Sequence, residues 1–386
     1  MKLNIFLAVS LISLAGCKDV PPPIAPLFPT TETSPYTSIL ADPVDSVRIE
    51  AGITGLAIGI LEGEDLAFEG YYGLQSIDGS SPVNRNSRFT AGPLSGMVTA
   101  IGVLQLLDQG SVDLDTHVGE YLPYDIRHPN FPQANISLRM LLSHVSGIRD
   151  DSTLLASLVV AGDANDDIEG FVESYLTPQG NLFSSTHFDT DRPGKTYNYS
   201  SVGLAVAALV IESIEGIPFS IWCQTNAFAK LGFSTDGWFL DNIAAEDVVS
   251  PHIRIGSNTI AQLPYGYPQY SSGLLRVNLR GASRLWRSLM LGGAYGDQRF
   301  FGQEENTILQ SIPFPFSDPA QGFGWRLGSA AGSPVWMAGG EDLGFTSIAY
   351  FDPAANVGVV ILSNGGGLDT ELAYLGQIAL EAARNF

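Results

Sequence analysis

A serine hydroxyl is a weak nucleophile near neutral pH and attacks only when a base within hydrogen-bond reach takes its proton. This sequence offers few such pairs. Lysine occurs only at Lys2, Lys18, Lys195 and Lys230, so few serines could have a lysine as base. On a helix, a serine and a base three residues apart share one face. Ser95 could open that spacing, but position 98 is Val98. Lys195, Tyr199 and Ser201 stand close together in RPGKTYNYSSVGL and could supply a Ser-Lys or Ser-Tyr pair. His144, within LLSHVSGI, reads as a packed turn histidine, and the other four histidines show no ligand spacing. There is no G-x-S-x-G, which speaks against the nucleophile elbow of an α/β-hydrolase. Asp163, Asn165, Asp167 and Glu169 in GDANDDIEG alternate as calcium-loop ligands do, yet Ile168 takes the glycine place and Ser174 that of the bidentate glutamate. The stretch reads as a solvated acidic turn, and no metal or cofactor is expected.

The elements that would position these side chains can be read from periodicity. ITGLAIGILEGEDLAFEGYYG, from Ile53 to Gly73, is two apolar strands around Glu62-Gly63-Glu64 and predicts a β-hairpin. After Phe89 the pattern turns helical: Met97, Ile101, Leu104 and Leu107 share one face, Val103 and Leu106 another, so the helix is buried nearly all round. Gly110 is its expected C-terminal cap. NYSSVGLAVAALVIESIEG, from Asn198 to Gly216, predicts a second buried helix. Val335 to Gly340, Phe345 to Phe351 and Val357 to Leu362 predict consecutive antiparallel strands, and Thr370 to Ala383 a final helix. Strands at both ends of the chain with helices between imply an α+β fold: one antiparallel sheet flanked by helices, with an inserted helical region. The expected domain spans 39–386, its sheet drawn from about 50–75 and 323–386 and its mainly helical part from about 93–316.

Composition bounds the rest. The chain has 386 residues, 45% hydrophobic, enough for a sizeable core. Its formal net charge of −21 would repel phosphate backbones, so nucleic acid is not an expected partner. Lys2, the apolar run Leu3 to Leu14, and Leu14-Ala15-Gly16-Cys17 resemble a bacterial lipoprotein signal, residues 1–16, with Cys17 lipidated. Cys223 then has no partner for a disulfide. Residues 17–38 hold six prolines, Pro21, Pro22, Pro23, Pro26, Pro29 and Pro35, and read as an extended tether. At about 3.1 Å per residue it would reach roughly 60 Å from a membrane. The expected location is the bacterial cell envelope, outer membrane or periplasmic face.

One further pattern bears on the chemistry. FTAGPLSGMVTAIGVLQLLDQGSVDLDTHVGEYLP, Phe89 to Pro123, resembles the β-lactamase-related, penicillin-recognising serine hydrolases. Their pattern is F-x-x-x-S-x-x-K, an apolar helix ending L-x-x-x-G, then L-x-L-D and Y-L-P. Phe89, Leu106, Gly110, Leu114, Asp115, Tyr121, Leu122 and Pro123 match. The alignment puts Pro93 in the place of the reactive serine and Gly96 in that of the lysine. The family's Y-x-N falls on Tyr199 and Ser201, and its K/H-x-G strand motif on WMAGGEDLGF, with Ala338 in the place of the cation and Gly339, Gly340, Gly344 and Phe345 kept. The likeness runs from about Ile53 to Phe386 and implies a β-lactamase/transpeptidase-like fold. In that family the nucleophile's own N–H serves the oxyanion hole, and proline has none. Losing one such donor typically costs about a hundredfold to a thousandfold in rate. The expected site, at Pro93, Gly96, Tyr199, Ser201 and Ala338, is therefore a dismantled one that binds a peptide, glycan or envelope protein. The alternative is an active esterase, peptidase or β-lactamase with a relocated nucleophile, Ser201 or Ser95. Against Ser95, two residues along a helix is about 200° of rotation, which turns it away from the direction position 93 faces.

Overall fold

The structure is a computed structural model that describes residues 34–233, 237–256 and 258–386. The expected signal, Cys17 and most of the expected tether lie outside the described residues. The last five residues assigned to the tether do not: Ser34 precedes and Pro35 opens a helix, α1 (Pro35–Ala51), which ends at Gly52 in the left-handed conformation. Pro35 sits in the first turn, where a missing N–H costs nothing. Tyr36, Leu40 and Val44, four residues apart, bury one stripe of it. Proline content suggested an extended tether here, and the apolar stripe outweighs it.

The predicted hairpin forms as β1 (Gly55–Glu62) and β2 (Asp65–Gly73), turning at Gly63 with φ +51°. The helix after Phe89 is α2 (Gly96–Asp108), with every residue from Gly96 to Leu106 buried. Gly110 follows it at φ +72°. The second buried helix is α3 (Ser201–Glu215), closed by Gly216 at φ +70°. A third, α4 (Leu279–Met290), crosses the sheet. At the C-terminus come β3 (Arg326–Ala330), β4 (Ser333–Asp342), β5 (Phe345–Asp352), β6 (Val357–Ser363) and α5 (Asp369–Arg384).

The strands build one six-stranded antiparallel sheet in the order β3-β4-β5-β6-β1-β2. The N-terminal hairpin thus joins the C-terminal meander through β1 and β6, where Ile58 lies opposite Ile361. Strands covered on both faces read as continuous apolar runs rather than alternating ones, and β1 shows why. Leu56, Ile58 and Ile60 pack with Tyr36, Leu40 and Val44 of α1 and Leu372 and Leu375 of α5. Ala57 and Leu61 belong to the larger core, shared with α2, α3 and α4. The fold is α+β with the helical region inserted between β2 and β3, as the sequence implied.

Candidate functional site

The site lies where the N-terminus of α2, the N-terminus of α3 and the middle of β4 converge. Pro93 stands in a 3₁₀ turn, Gly92–Ser95, that leads into α2. The turn needs Gly92 at φ +56°. Ser347 of β5 donates to the Ala91 carbonyl at 2.6 Å, and Ala91 donates to the Leu275 carbonyl at 2.8 Å. These bonds press Pro93 against β4, where a Cβ on Gly340 would meet the Pro93 Cγ at 3.1 Å. Ser95 faces the opposite way. It is fully buried, and its Oγ accepts from the Leu275 N–H at 3.1 Å.

Gly96 is the first residue of α2 and is buried. A Cβ there would lie 3.0 Å from Leu204 Cδ1 of α3. A side chain at position 96 would therefore press on the end of the Leu204 side chain. On β4, Gly339 and Gly340 hold φ of +138° and +141°, and a Cβ on Gly339 would come within 2.2 Å of the Ser347 carbonyl. That close approach demands glycine whatever the chemistry of the neighbouring cleft.

Tyr199 precedes α3 and stacks at a tilt on His144, ring centroids 4.5 Å apart. Its surface is 39% exposed. The walls around it still desolvate the hydroxyl and, with Asp150 and Asp342 nearby, hold its pKa above the ordinary tyrosine value. His144 itself is buried at φ +53° and accepts from the Ser200 N–H at 3.4 Å. Burial, aided by the Arg326 charge, lowers its pKa to about 4, so it is neutral at pH 7.

Ser201 opens α3. Its hydroxyl donates to Asp150 at 2.6 Å, a partner that sequence reasoning missed. The same carboxylate accepts from the Ser201 N–H at 2.8 Å, the Ser200 hydroxyl at 2.8 Å and the Val202 N–H at 3.2 Å. Asp150 is thus an N-terminal cap supplied from outside the helix, anionic where the free N–H groups and the helix dipole favour a negative charge. To act as a base toward Ser201 it would have to surrender part of that cap. Lys195 is exposed and borders neither cavity described below, so no Ser-Lys pair with Ser201 forms there.

Two cavities meet at Pro93 and Tyr199, which line both. The larger, about 370 Å³, holds Gly96, His144, Leu204, Trp325, Met337, Ala338, Gly339 and Gly340 in its wall, with Arg326 and Asp369 as its charged residues. The smaller, about 240 Å³, is lined by Ser201, Tyr267, Gln269, Glu341 and Asp342 among others. Four of the five expected positions, Pro93, Gly96, Tyr199 and Ala338, thus share one cavity, and Ser201 lies in the next. Arg326, Asp342, Tyr267 and Gln269 had no local signal in the sequence. They arrive from strands and loops remote from both helices. The acidic turn is engaged structurally: Asp163 pairs with Arg276 at 3.4 Å, Asp166 accepts from the Tyr270 hydroxyl at 2.7 Å, and Asp167 caps the helix from Ile168. Among the described residues no group of three or more His, Cys, Asp or Glu could hold a metal ion.

With this geometry in view, comparison with known proteins is decisive for the family. The Beta-lactamase family model matches residues 39–384. The chain belongs to the Beta-lactamase family. Penicillin-binding protein 4 of Amycolatopsis lactamdurans is 24% identical over 336 residues, covering 83% of this chain and 84% of that protein. A penicillin-binding protein of Bacillus subtilis is 26% identical over 182 residues, 45% of this chain but 35% of its own length, so the matched stretch is about a third of that relative. The crystal structure of a penicillin-binding protein from Bacillus halodurans superposes with a TM-score of 0.69 at 23% identity, over 88% of this chain and 98% of that one. The cleft has Pro93 and Gly96 at the N-terminus of α2 and Gly339 and Gly340 on β4.

Proposed function

We propose that this protein uses the family's cleft to bind a peptide-like ligand rather than to form an acyl-serine intermediate. The observation that carries this reading is the α2 N-terminus: Pro93 offers neither hydroxyl nor N–H, and Gly96 has no side chain to serve as a base. In the larger cavity the His144 Nδ1 already accepts from the backbone, and the charged residues are Arg326 and Asp369. What the cavity keeps is recognition: an apolar wall of Trp325, Met337 and Ile348 with Arg326 at its edge. The names of the relatives point to penicillins and, for a putative D-alanyl-D-alanine carboxypeptidase of Salmonella heidelberg, to D-alanyl-D-alanine as what those proteins take, and we carry that class over as the candidate ligand here. The reading includes attachment to the cell envelope through Cys17, supported by the resemblance of residues 1–17 to a lipoprotein signal. The test is fluorescence polarisation with a fluorescent penicillin and a labelled cell-wall peptide. Binding that reverses fully on dilution supports the reading, and a signal that survives denaturation defeats it.

One observation favours a second reading. Ser201 stands 2.6 Å from a carboxylate and lines the smaller cavity beside Tyr199. A hydrolase built on Ser201 and Asp150 would turn over a chromogenic ester and lose that turnover in Ser201→Ala. The name of the putative D-alanyl-D-alanine carboxypeptidase of Salmonella heidelberg, 24% identical over 359 residues, speaks for it, and the four hydrogen bonds already held by Asp150 speak against it.

A further inference from the structure

We propose that the larger cavity contains a second subsite, on the α5 side of the sheet, which takes an uncharged apolar group carrying a carbonyl oxygen and offers it the Tyr350 hydroxyl as donor. The proposal rests on the reading that the cleft receives a ligand, and it names what a second part of that ligand meets.

The sheet edge explains why the cavity has two sides. β3 pairs with β4 only as far as Arg326 opposite Met337, so Ala338 to Asp342 have β5 on one side and no strand on the other. The cavity passes round this open edge. Leu204 and Trp325 in its wall belong to the core shared with α2 and α3, whereas Ile348 and Tyr350 belong to the core under α1 and α5. Asp369 and Ala373, from the first two turns of α5, close the far side. About one turn after Ala373 the helix meets the sheet: a Cβ on Gly376 would lie 2.7 Å from both Ile348 Cδ1 and Tyr350 Cε2. The gap between helix and sheet on the N-terminal side of that contact is the subsite.

The observation that points to a ligand is Tyr350. It is 3% exposed, yet it lines the cavity, and its hydroxyl has no hydrogen-bond partner among the described residues. That oxygen is not one of the polar atoms sealed in the interior, so the little surface the residue keeps includes its hydroxyl. Deeply placed polar groups are normally paired, and in apolar surroundings a bond made to one is strengthened. Burial raises the Tyr350 pKa, so the hydroxyl stays protonated and can donate. The neighbouring wall, Met337, Ile348 and Ala373, is apolar. Of the two charged residues in the cavity, Arg326 is already paired with Asp318 at 2.9 Å, and Asp369 is exposed on the first turn of α5, where the helix dipole favours its charge. An ammonium or a carboxylate beside Tyr350 would give up its water without a buried counter-charge, whereas a carbonyl needs only the one donor.

The experiment is a fluorine NMR titration of the full chain with four probes that share one ring: para-fluoroacetophenone, para-fluorotoluene, para-fluorobenzoate and para-fluorobenzylamine. The ketone is expected to bind at least about fivefold more tightly than either charged probe. Tyr350→Phe removes a hydroxyl with no protein partner to lose, so the thermal melt should be unchanged. It should weaken the ketone by about fivefold, the worth of one net hydrogen bond, and the toluene by less than about twofold. Ala373→Leu fills the gap from the helix side and should weaken the ketone and the toluene alike. Should that variant fold poorly, Tyr350→Phe still decides the matter. No binding of the ketone, tighter binding of the benzoate or the benzylamine, or a ketone affinity unmoved by Tyr350→Phe overturns the subsite. The outcomes separate from those of the functional reading. A serine adduct with a penicillin beside an intact, Tyr350-dependent ketone affinity defeats non-catalytic binding and keeps the subsite. Reversible penicillin binding without that ketone affinity does the reverse.

Discussion

Replacing Asp150 by alanine distinguishes a cap from a catalytic base. The substitution strands two backbone N–H groups, Ser201 and Val202, and two hydroxyls, Ser200 and Ser201, that now share one carboxylate at 2.6–3.2 Å. Loss of an N-cap costs about 0.5–2 kcal/mol. Loss of a negative charge at a partly buried helix N-terminus adds about 0.3–2 kcal/mol. Water will serve some of the freed donors, since Asp150 is only half-buried. The expected loss is therefore about 1–4 kcal/mol, which for a chain of this size lowers Tm by about 1.5–5 °C. Asp150→Asn keeps one acceptor oxygen and should lose about 1 kcal/mol. Ser201→Ala removes a single donor from a carboxylate that retains three, and should also cost about 1 kcal/mol. Urea unfolding and scanning fluorimetry of the three variants, beside turnover of a chromogenic ester, provide the assay. A Tm within about 1 °C of the parent for Asp150→Ala, coupled to lost ester turnover, would refute the capping argument and install Asp150 as a base.

Three further outcomes follow from the same geometry. His144 has a folded-state pKa of about 4 against about 6.5 when unfolded, so the unfolded chain binds the extra proton. Its contribution is complete above about pH 6.5 and is lost as pH falls toward 4, amounting to about 2–3 kcal/mol at pH 4.5. His144→Asn, which tolerates the left-handed backbone at that position, should flatten the urea midpoint between pH 7 and pH 4.5 relative to the parent. Gly339→Ala should fail to fold or lose more than about 3 kcal/mol, because its Cβ would sit 2.2 Å from a backbone oxygen, whereas Gly340→Ala meets the Pro93 ring at 3.1 Å and should fold with a constricted cleft. Soluble expression and thermal melts check both. Pro93→Ser with Gly96→Lys should react weakly with a penicillin, because the new side chain presses on Leu204 at 3.0 Å. Adding Leu204→Ala should raise labelling measured by in-gel fluorescence, and equal labelling with and without Leu204→Ala would contradict the steric argument.

Much of this molecule can be read along the chain. The hairpin at Gly63, the meander and the two buried helices announce themselves because each is a local apolar run punctuated by glycine or proline. The start of helix α1 hid because Pro35 closed the proline-rich run read as tether, although Tyr36, Leu40 and Val44 carried helical spacing. At the site, the replaced positions Pro93, Gly96 and Ala338 are visible as departures from a pattern. What surrounds them is not. Leu204 crowds Gly96 only because α3 packs on α2, Asp150 reaches Ser201 from about fifty positions away, and Asp342 and Gln269 come to one cavity from separate parts of the chain. Sequence spacing encodes neighbours along a strand or helix, whereas these contacts depend on how separate elements pack.

The claim that the nucleophile is absent rather than relocated is tested most directly by intact-mass spectrometry after incubation with a fluorophosphonate and, separately, a penicillin. The geometry at Pro93, Gly96 and Leu204 predicts an unmodified mass with both reagents and no adduct on any serine. A stoichiometric adduct that maps to Ser201 would contradict it.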